Sequence, residues 1–288
     1  MKIEIDLYRD WAAYLQDELT TLGYKVAQEK PEKIVHIYLN LLRRLVEPIP
    51  RNIFKAKDFS CPHECEAGLA EVERKIQSGQ DIGPHLSRKI QKPNFNDFLL
   101  NHWGIHHVHL GTTVEDDGFY ERTGPVLFVR FDSSAAYFID VLPHDSWALQ
   151  RLVRSIHNNW PESIQQYRLN GVVSLDRTLS DDDVARLRKG HVNTMVDLGE
   201  GVVYEAIGGG YMTSGVSTEV VIRADMYAIR LREMQKNVVE NIAVIADQAE
   251  KMNLAFPDHP QFGLQVEDGN NLYAVEINCM LAVPLGKL

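Results

Sequence analysis

The chain has 288 residues, 44% of them hydrophobic and 24% charged, and carries a net charge of −10. That balance supports a buried core in one large or two ordinary domains, and its acidity opposes loose binding to nucleic acid, which needs Lys and Arg. Three cysteines (Cys61, Cys65 and Cys279) exclude a disulfide framework and suit a reducing cytosol.

The N-terminus Met1-Lys2-Ile3-Glu4-Ile5-Asp6 lacks the apolar run of a signal peptide. No segment approaches the roughly 20 apolar residues that span a bilayer. The expectation is a soluble cytoplasmic protein with no membrane partner. Asp10 caps a first expected helix in which Trp11, Tyr14, Leu15, Leu19 and Leu22 recur at helical spacing before Gly23. A second helix carries Ile34, Tyr38, Leu41, Leu42 and Leu45, and Pro48 and Pro50 stop it. A third covers 66–77, with Gly79 past its end.

The character then changes to strands over 105–110, 126–131 and 135–142, with Asp132-Ser133-Ser134 as the hairpin turn between the last two. Pro143 ends the third strand, and Asp145 is the expected cap of a helix carrying Trp147, Leu149, Leu152, Val153 and Ile156. A boundary is expected between Trp160 and Gly171. Beyond it, Ser180 caps a short helix with three aspartates at its positive end and Arg188 and Lys189 at its negative end. Strands over 194–198 and 202–207 follow, joined by Gly199-Glu200-Gly201. A glycine-rich loop (208–215) leads into a long helix over 218–252, whose stripe of Leu231, Met234, Val238, Ile242, Ile245, Ala249 and Met252 approaches a heptad seam. Two last strands turn at Asp268-Gly269-Asn270. These elements predict an α+β protein: a helical segment with a helix-flanked antiparallel sheet over 1–165, then a smaller α+β domain with the long helix over 166–288.

Six of the eleven histidines lie between His102 and His157. Side chains alternate faces along a strand, so His107 and His109 share one face and His106, Val108 and Leu110 the other. With Val108 and Leu110 in the core, His107 and His109 face a cleft or solvent, about 7 Å apart from a rise of ~3.4 Å per residue. Such a pair can serve as acid and base or chelate a metal; two exposed histidines on a polar face is the plain alternative. His144 stands just before the expected helix start, where free N–H groups attract phosphate and an imidazole can protonate a phosphoester oxygen, or merely help cap the helix. Arg122, Arg130 and Tyr120 lie between the two histidine sites. Arg130 offers a preorganised cation for a phosphorane, or is a surface arginine.

Two further motifs read as structure. Cys61-Pro62-His63-Glu64-Cys65 has no second ligand pair, so it is a loop leading into the third helix. The 208–215 loop lacks both the P-loop and the dinucleotide-binding patterns, and its glycines suit a tight turn, although its amides can also cradle an anion.

The run Gly104-Ile105-His106-His107-Val108-His109-Leu110, followed by Gly124-Pro125-Val126-Leu127-Phe128-Val129-Arg130 and by Tyr137 through Trp147, resembles the RelE/ParE superfamily of bacterial toxins, especially its YafQ-like branch. His109 corresponds to the first histidine of that pattern, and His144 with Trp147 to its terminal signature. The resemblance implies a compact sheet packed on helices and metal-free endoribonuclease chemistry, in which the ribose 2′-OH attacks the adjacent phosphate. Thr113 stands where that branch carries an aspartate, and this chain is long and acidic where those toxins are small and basic. The Trp103-to-His107 run is also similar to larger uncharacterised bacterial proteins, which implies no activity.

Three readings stay open. In the first, a toxin-like metal-independent endoribonuclease or phosphodiesterase uses His107 or His109 as base, His144 as acid and Arg130 or Arg122 as charge stabiliser. It needs no cofactor, takes RNA, and has an antitoxin or other protein partner. In the second, His107, His109 and His144, with Asp140 as a further candidate, hold the divalent metal of a hydrolase. In the third, a non-catalytic defence or regulatory protein uses its C-terminal half as a partner surface and the long helix as a homodimer seam.

Overall fold

Local sequence signals account for most of the helices and strands. The structure, a computed structural model, describes residues 2–27, 29–267 and 271–288. In chain order its elements are β1 (Glu4–Ile5), α1 (Leu7–Thr21), α2 (Pro31–Arg44), β2 (Asn52–Lys55), α3 (Glu66–Ser78), α4 (Phe98–Trp103), β3 (His106–His109), β4 (Pro125–Phe131) and β5 (Ala135–Pro143). There follow α5 (Arg151–Asn159), α6 (Asp181–Lys189), β6 (Val196–Gly199), β7 (Val202–Tyr204), α7 (Thr218–Glu240), α8 (Ile242–Lys251), β8 (Gln261–Glu267), β9 (Asn271–Glu276) and β10 (Ala282–Lys287). The fold class is α+β, as the sequence predicts.

The chain divides into two compact units, one of residues 1–39 with 221–288 and one of residues 40–220. The expected boundary at 165/166 therefore falls inside the second unit. Long-range strand pairing decides this: β1 pairs in parallel with β8, so the two ends of the chain share one sheet.

In the first unit that sheet runs β1-β8-β9-β10. Asp6 caps α1 by accepting from the Arg9 amide, so the helix starts earlier than expected. Asp10, the expected cap, accepts instead from the Leu264 amide at 3.0 Å. Trp11 leaves α1 to meet Tyr227 of α7 edge-on at 5.1 Å. The expected long helix is interrupted at Asn241, which separates α7 from α8. Leu231, Val238, Ile245 and Ala249 of its stripe are buried inside the chain, so the stripe is a core face and not an open dimer seam, while Met252 is exposed. The expected turn at Asp268-Gly269-Asn270 lies outside the described residues.

In the second unit the sheet order is β2-β5-β4-β3. The β3–β4 and β4–β5 pairs are antiparallel, as the meander predicts, but β2 joins β5 in parallel, so the sheet is mixed. The hairpin turn forms as expected, with Asp132 Oδ1 accepting from the Ser134 and Ala135 amides at 2.8 and 2.7 Å. Val126, Phe128, Ile139 and Leu142 bury one face with Trp103, Leu152, Val153 and Ile156. Each such large apolar side chain contributes roughly 1.5–3 kcal/mol on leaving water. Gly68 lets α3 approach the strand end closely, because a Cβ there would meet the Leu110 carbonyl oxygen.

The helix expected to begin at Asp145 begins only at Arg151. Tight turns fill the interval, with the Ser146 amide donating to the Pro143 carbonyl and the Leu149 amide to that of Ser146. Asp181, not Asp145, receives the Gln150 amide at the helix start. Trp147 is thereby withheld from the helix and turned toward the histidines.

Candidate metal centre

Strand register assembles three histidines. His107 lies opposite Phe128 and His109 opposite Val126, while Val126 in turn faces Leu142 of β5. Two residues beyond Leu142, on the same face of an extended chain, comes His144. Its amide donates to the Gly124 carbonyl at 3.0 Å, which continues the pairing past the end of β5.

The ring centroids lie 5.9 Å apart for His107 and His109, 5.8 Å for His107 and His144, and 5.6 Å for His109 and His144. One ring nitrogen from each lies within 4.8 Å of the others. The face that carries them is closed over, not solvent-facing: His109 is only 2% exposed and the other two are partly buried. Trp147 caps the group edge-on, 4.4 Å from His107 and 4.5 Å from His144. His144 does not sit at a helix N-terminus, because the following helix starts well downstream, so the expected phosphate site there is absent.

The cluster is electrically neutral. Burial pushes His107 down to about 3, helped by His144, Arg122 and Lys89. Burial also takes His109 to about 3, with His107, Arg122 and His144 adding to it. His144 is lowered by burial first and then by Arg122 and Lys89, against the opposing charge of Asp145. Both ring nitrogens of His109 and Nε2 of His144 are buried without a hydrogen-bond partner. A neutral imidazole has one N–H and one lone pair, and leaving these unmatched in the interior costs about 1–3 kcal/mol each. Buried neutral imidazoles whose nitrogens converge form a ligand set for a metal ion.

A second layer holds the first. Arg188 of α6 donates to His102 Nδ1 from Nε at 3.1 Å and from Nη2 at 2.9 Å, and it donates to the Trp147 carbonyl through Nη1. Its guanidinium stacks 4.2 Å over the Trp103 ring. With Nδ1 accepting, His102 carries its proton on Nε2 and donates to the Thr194 carbonyl at 3.1 Å. Burial, and then Arg188, hold this imidazole down to about 3. On the other side of β3, His85 lies 3.0 Å from the His109 carbonyl through Nδ1 and stacks on Tyr120 at 3.7 Å. That contact fixes the backbone at His109.

The remaining candidates separate into near and far. Arg122 lines a cleft of about 540 Å³ that reaches His107, His144 and Trp147. Arg130 is elsewhere: its Nη1 donates to the Trp103 and Ile207 carbonyls at 3.3 and 3.1 Å, which tie the 207–208 turn to the end of α4. Asp140 is also outside the cluster, accepting from the Ser60 amide at 3.1 Å and from Arg151 at 3.0 Å. The glycine-rich loop packs by close backbone approach, since a Cβ on Gly208 would lie 2.4 Å from both the Gly104 nitrogen and the Leu100 oxygen. Cys61 to Cys65 leads into α3 as expected, with Cys65 buried.

Sequence reasoning missed His85, His102, Arg188 and Lys89 as parts of the site. The histidine density around His102 was a usable signal. Arg188 had none, because on a charged helix end it reads as a residue complementing the dipole. Comparison with known proteins adds no relative: no family model, no curated protein and no solved structure matches the chain.

Proposed function

We propose that His107, His109 and His144 hold a divalent transition metal and that the protein is a metal-dependent hydrolase. The observation that carries this reading is the convergence of three neutral imidazoles, two of which, His109 and His144, have buried nitrogens without a partner. Tetrahedral ligation at about 2.0–2.1 Å needs nitrogens about 3.3 Å apart, which ring rotations of under about an ångström supply. Three protein ligands leave a coordination position for water, and a divalent ion there brings the water's pKa near neutrality and polarises a bound carbonyl or phosphoryl group. Trp147 packs edge-on against His107 and His144, and with them it lines the 540 Å³ cleft, which admits a small molecule.

The metal-free acid–base reading, with a toxin-like ribonuclease as its model, fits less well. An imidazole that gives or takes a proton at neutral pH must titrate near it, and burial keeps His107 and His109 near 3. Arg130, its charge stabiliser, is engaged by carbonyls away from the cluster.

The test is metal stoichiometry after loading with zinc or cobalt(II), with ester hydrolysis measured before and after chelation. About one ion per chain, lost in His109→Ala/His144→Ala together with chelator-sensitive activity, is the expected result. A wild-type protein that retains no metal under these conditions would refute the reading.

A further inference from the structure

The cleft beside the histidines combines three aromatic side chains with unpaired cations in a chain of net charge −10. Phe95, Phe98 and Trp147 supply flat apolar surface, and Lys89, Arg122 and Lys189 lie on the wall and rim. Among the described residues none of these three cations forms an ion pair, whereas the adjacent Arg88 is held by both Glu115 and Asp117. The fourth cation of the cleft, Arg188, is committed to His102 and Trp147. Of the two carboxylates present, Asp97 turns Oδ1 back to cap α4 at the Leu99 and Leu100 amides. Four cations thus stand against the two carboxylates Asp97 and Asp145, so the cleft is a positive pocket on an acidic protein. Such a local reversal of sign draws in and holds an anion.

The aromatic side is equally specific. Lys89 Nζ lies 4.7 Å over the Phe95 ring, which places a cation directly at the edge of the apolar surface. Lys89 and Arg122 line the same cleft as His107 and His144, so their charge lies beside the place where the reacting group would stand.

We infer that the cleft takes a small aryl or heteroaryl phosphate monoester, its ring against Phe98 and Trp147 and its dianion between Lys89 and Arg122, facing the histidines. A dianion suits two cations beside a metal centre better than a neutral ester does. Hydrolysis would form a bond from water oxygen to phosphorus and break the phosphorus–aryl oxygen bond. The aryl oxygen leaves with a proton from that water, giving a phenol and inorganic phosphate. The reaction rests on the metal-centre reading; the binding preference does not.

The experiment is calorimetric titration with phenyl phosphate, phenol and inorganic phosphate, in chelator and after metal loading, on the wild type and Lys89→Ala/Arg122→Ala. Both replaced side chains are exposed, so the double variant keeps its fold. Phenyl phosphate is expected to bind at least tenfold more tightly than either fragment, with tenfold or greater loss in the variant at unchanged metal content. In the loaded protein, 4-nitrophenyl phosphate is expected to turn over faster than 4-nitrophenyl acetate. Equal affinity for phenol and phenyl phosphate, or an affinity indifferent to the double variant, would overturn the inference even if metal binds. Failure of metal loading with phenyl phosphate selectivity intact would overturn the metal reading alone.

Discussion

The imidazoles of His109 and His144 lie nearly parallel, 5.6 Å apart and inclined by 25°, although one comes from an edge strand and the other from the turn after a strand two places away in the sheet. Their approach depends on the pairing of Val126 with both His109 and Leu142. The metal-centre reading depends on that juxtaposition.

In the proposed metal centre, replacing His144 by Ala would remove one of three ligands and leave two. Metal affinity is expected to fall more than about a hundredfold, beyond the 10–100-fold typical of losing a supporting residue. Cobalt(II) absorption read during titration checks this, and an unchanged spectrum would exclude His144 as a ligand.

Acid should destabilise the fold over a defined window. Burial lowers His102 to about 3 and His85 to about 4. Unfolding frees these imidazoles to protonate below their ordinary value of about 6.5, so the unfolded state binds more protons there. Their neutral form is compatible with the fold above that pH, and stability is lost as the pH falls from about 6.5 toward 4 and 3. The slope is up to about 1.4 kcal/mol per pH unit for each histidine. Urea unfolding at pH 7, 5.5 and 4.5 measures it; a flat profile would contradict the neutral buried assignment.

Arg188→Met removes the donors to His102 Nδ1 and the Trp147 carbonyl and leaves the first acceptor buried and the second partly buried. The expected loss is about 2–4 kcal/mol by urea unfolding. Lys at this position should not restore it, since an ammonium cannot reproduce the planar fork. Metal affinity should drop about tenfold in the same variant as Trp147 loosens over the ligands.

Gly208→Ala tests whether the glycine-rich loop is structural. The new Cβ would press on three backbone atoms, the Gly104 nitrogen and the Leu100 and Asn101 oxygens, none of which can swing aside as a side chain would. A destabilisation of about 1–3 kcal/mol is expected, with phenyl phosphate affinity unaffected in the folded protein. A selective loss of ligand binding with unchanged stability would instead favour an anion-binding loop.

The parts legible in the sequence were those governed by local periodicity and by special residues. Gly79 closed α3, Asp132 built the turn between β4 and β5, and the capping box of Ser180 and Asp183 opened α6. Alternation along β3 likewise put His107 and His109 on one face, because the period of a strand is a property of the backbone itself. The features that depend on distant partners were not legible. β1 and β2 are short strands whose parallel partners, β8 and β5, lie far along the chain, and nothing in two or four residues announces such a pairing.

By itself, the sequence determined the α+β class, the three antiparallel strands and the concentration of histidines on the first of them. Tertiary structure alone decided that His144 joins His107 and His109, that Arg130 and Asp140 do not, and that Arg188 and His85 support the group. Side-chain chemistry is written in the residue, but the distance between two side chains is set by register and packing across the sheet. Burial then acts on what has been brought together and holds the imidazoles neutral.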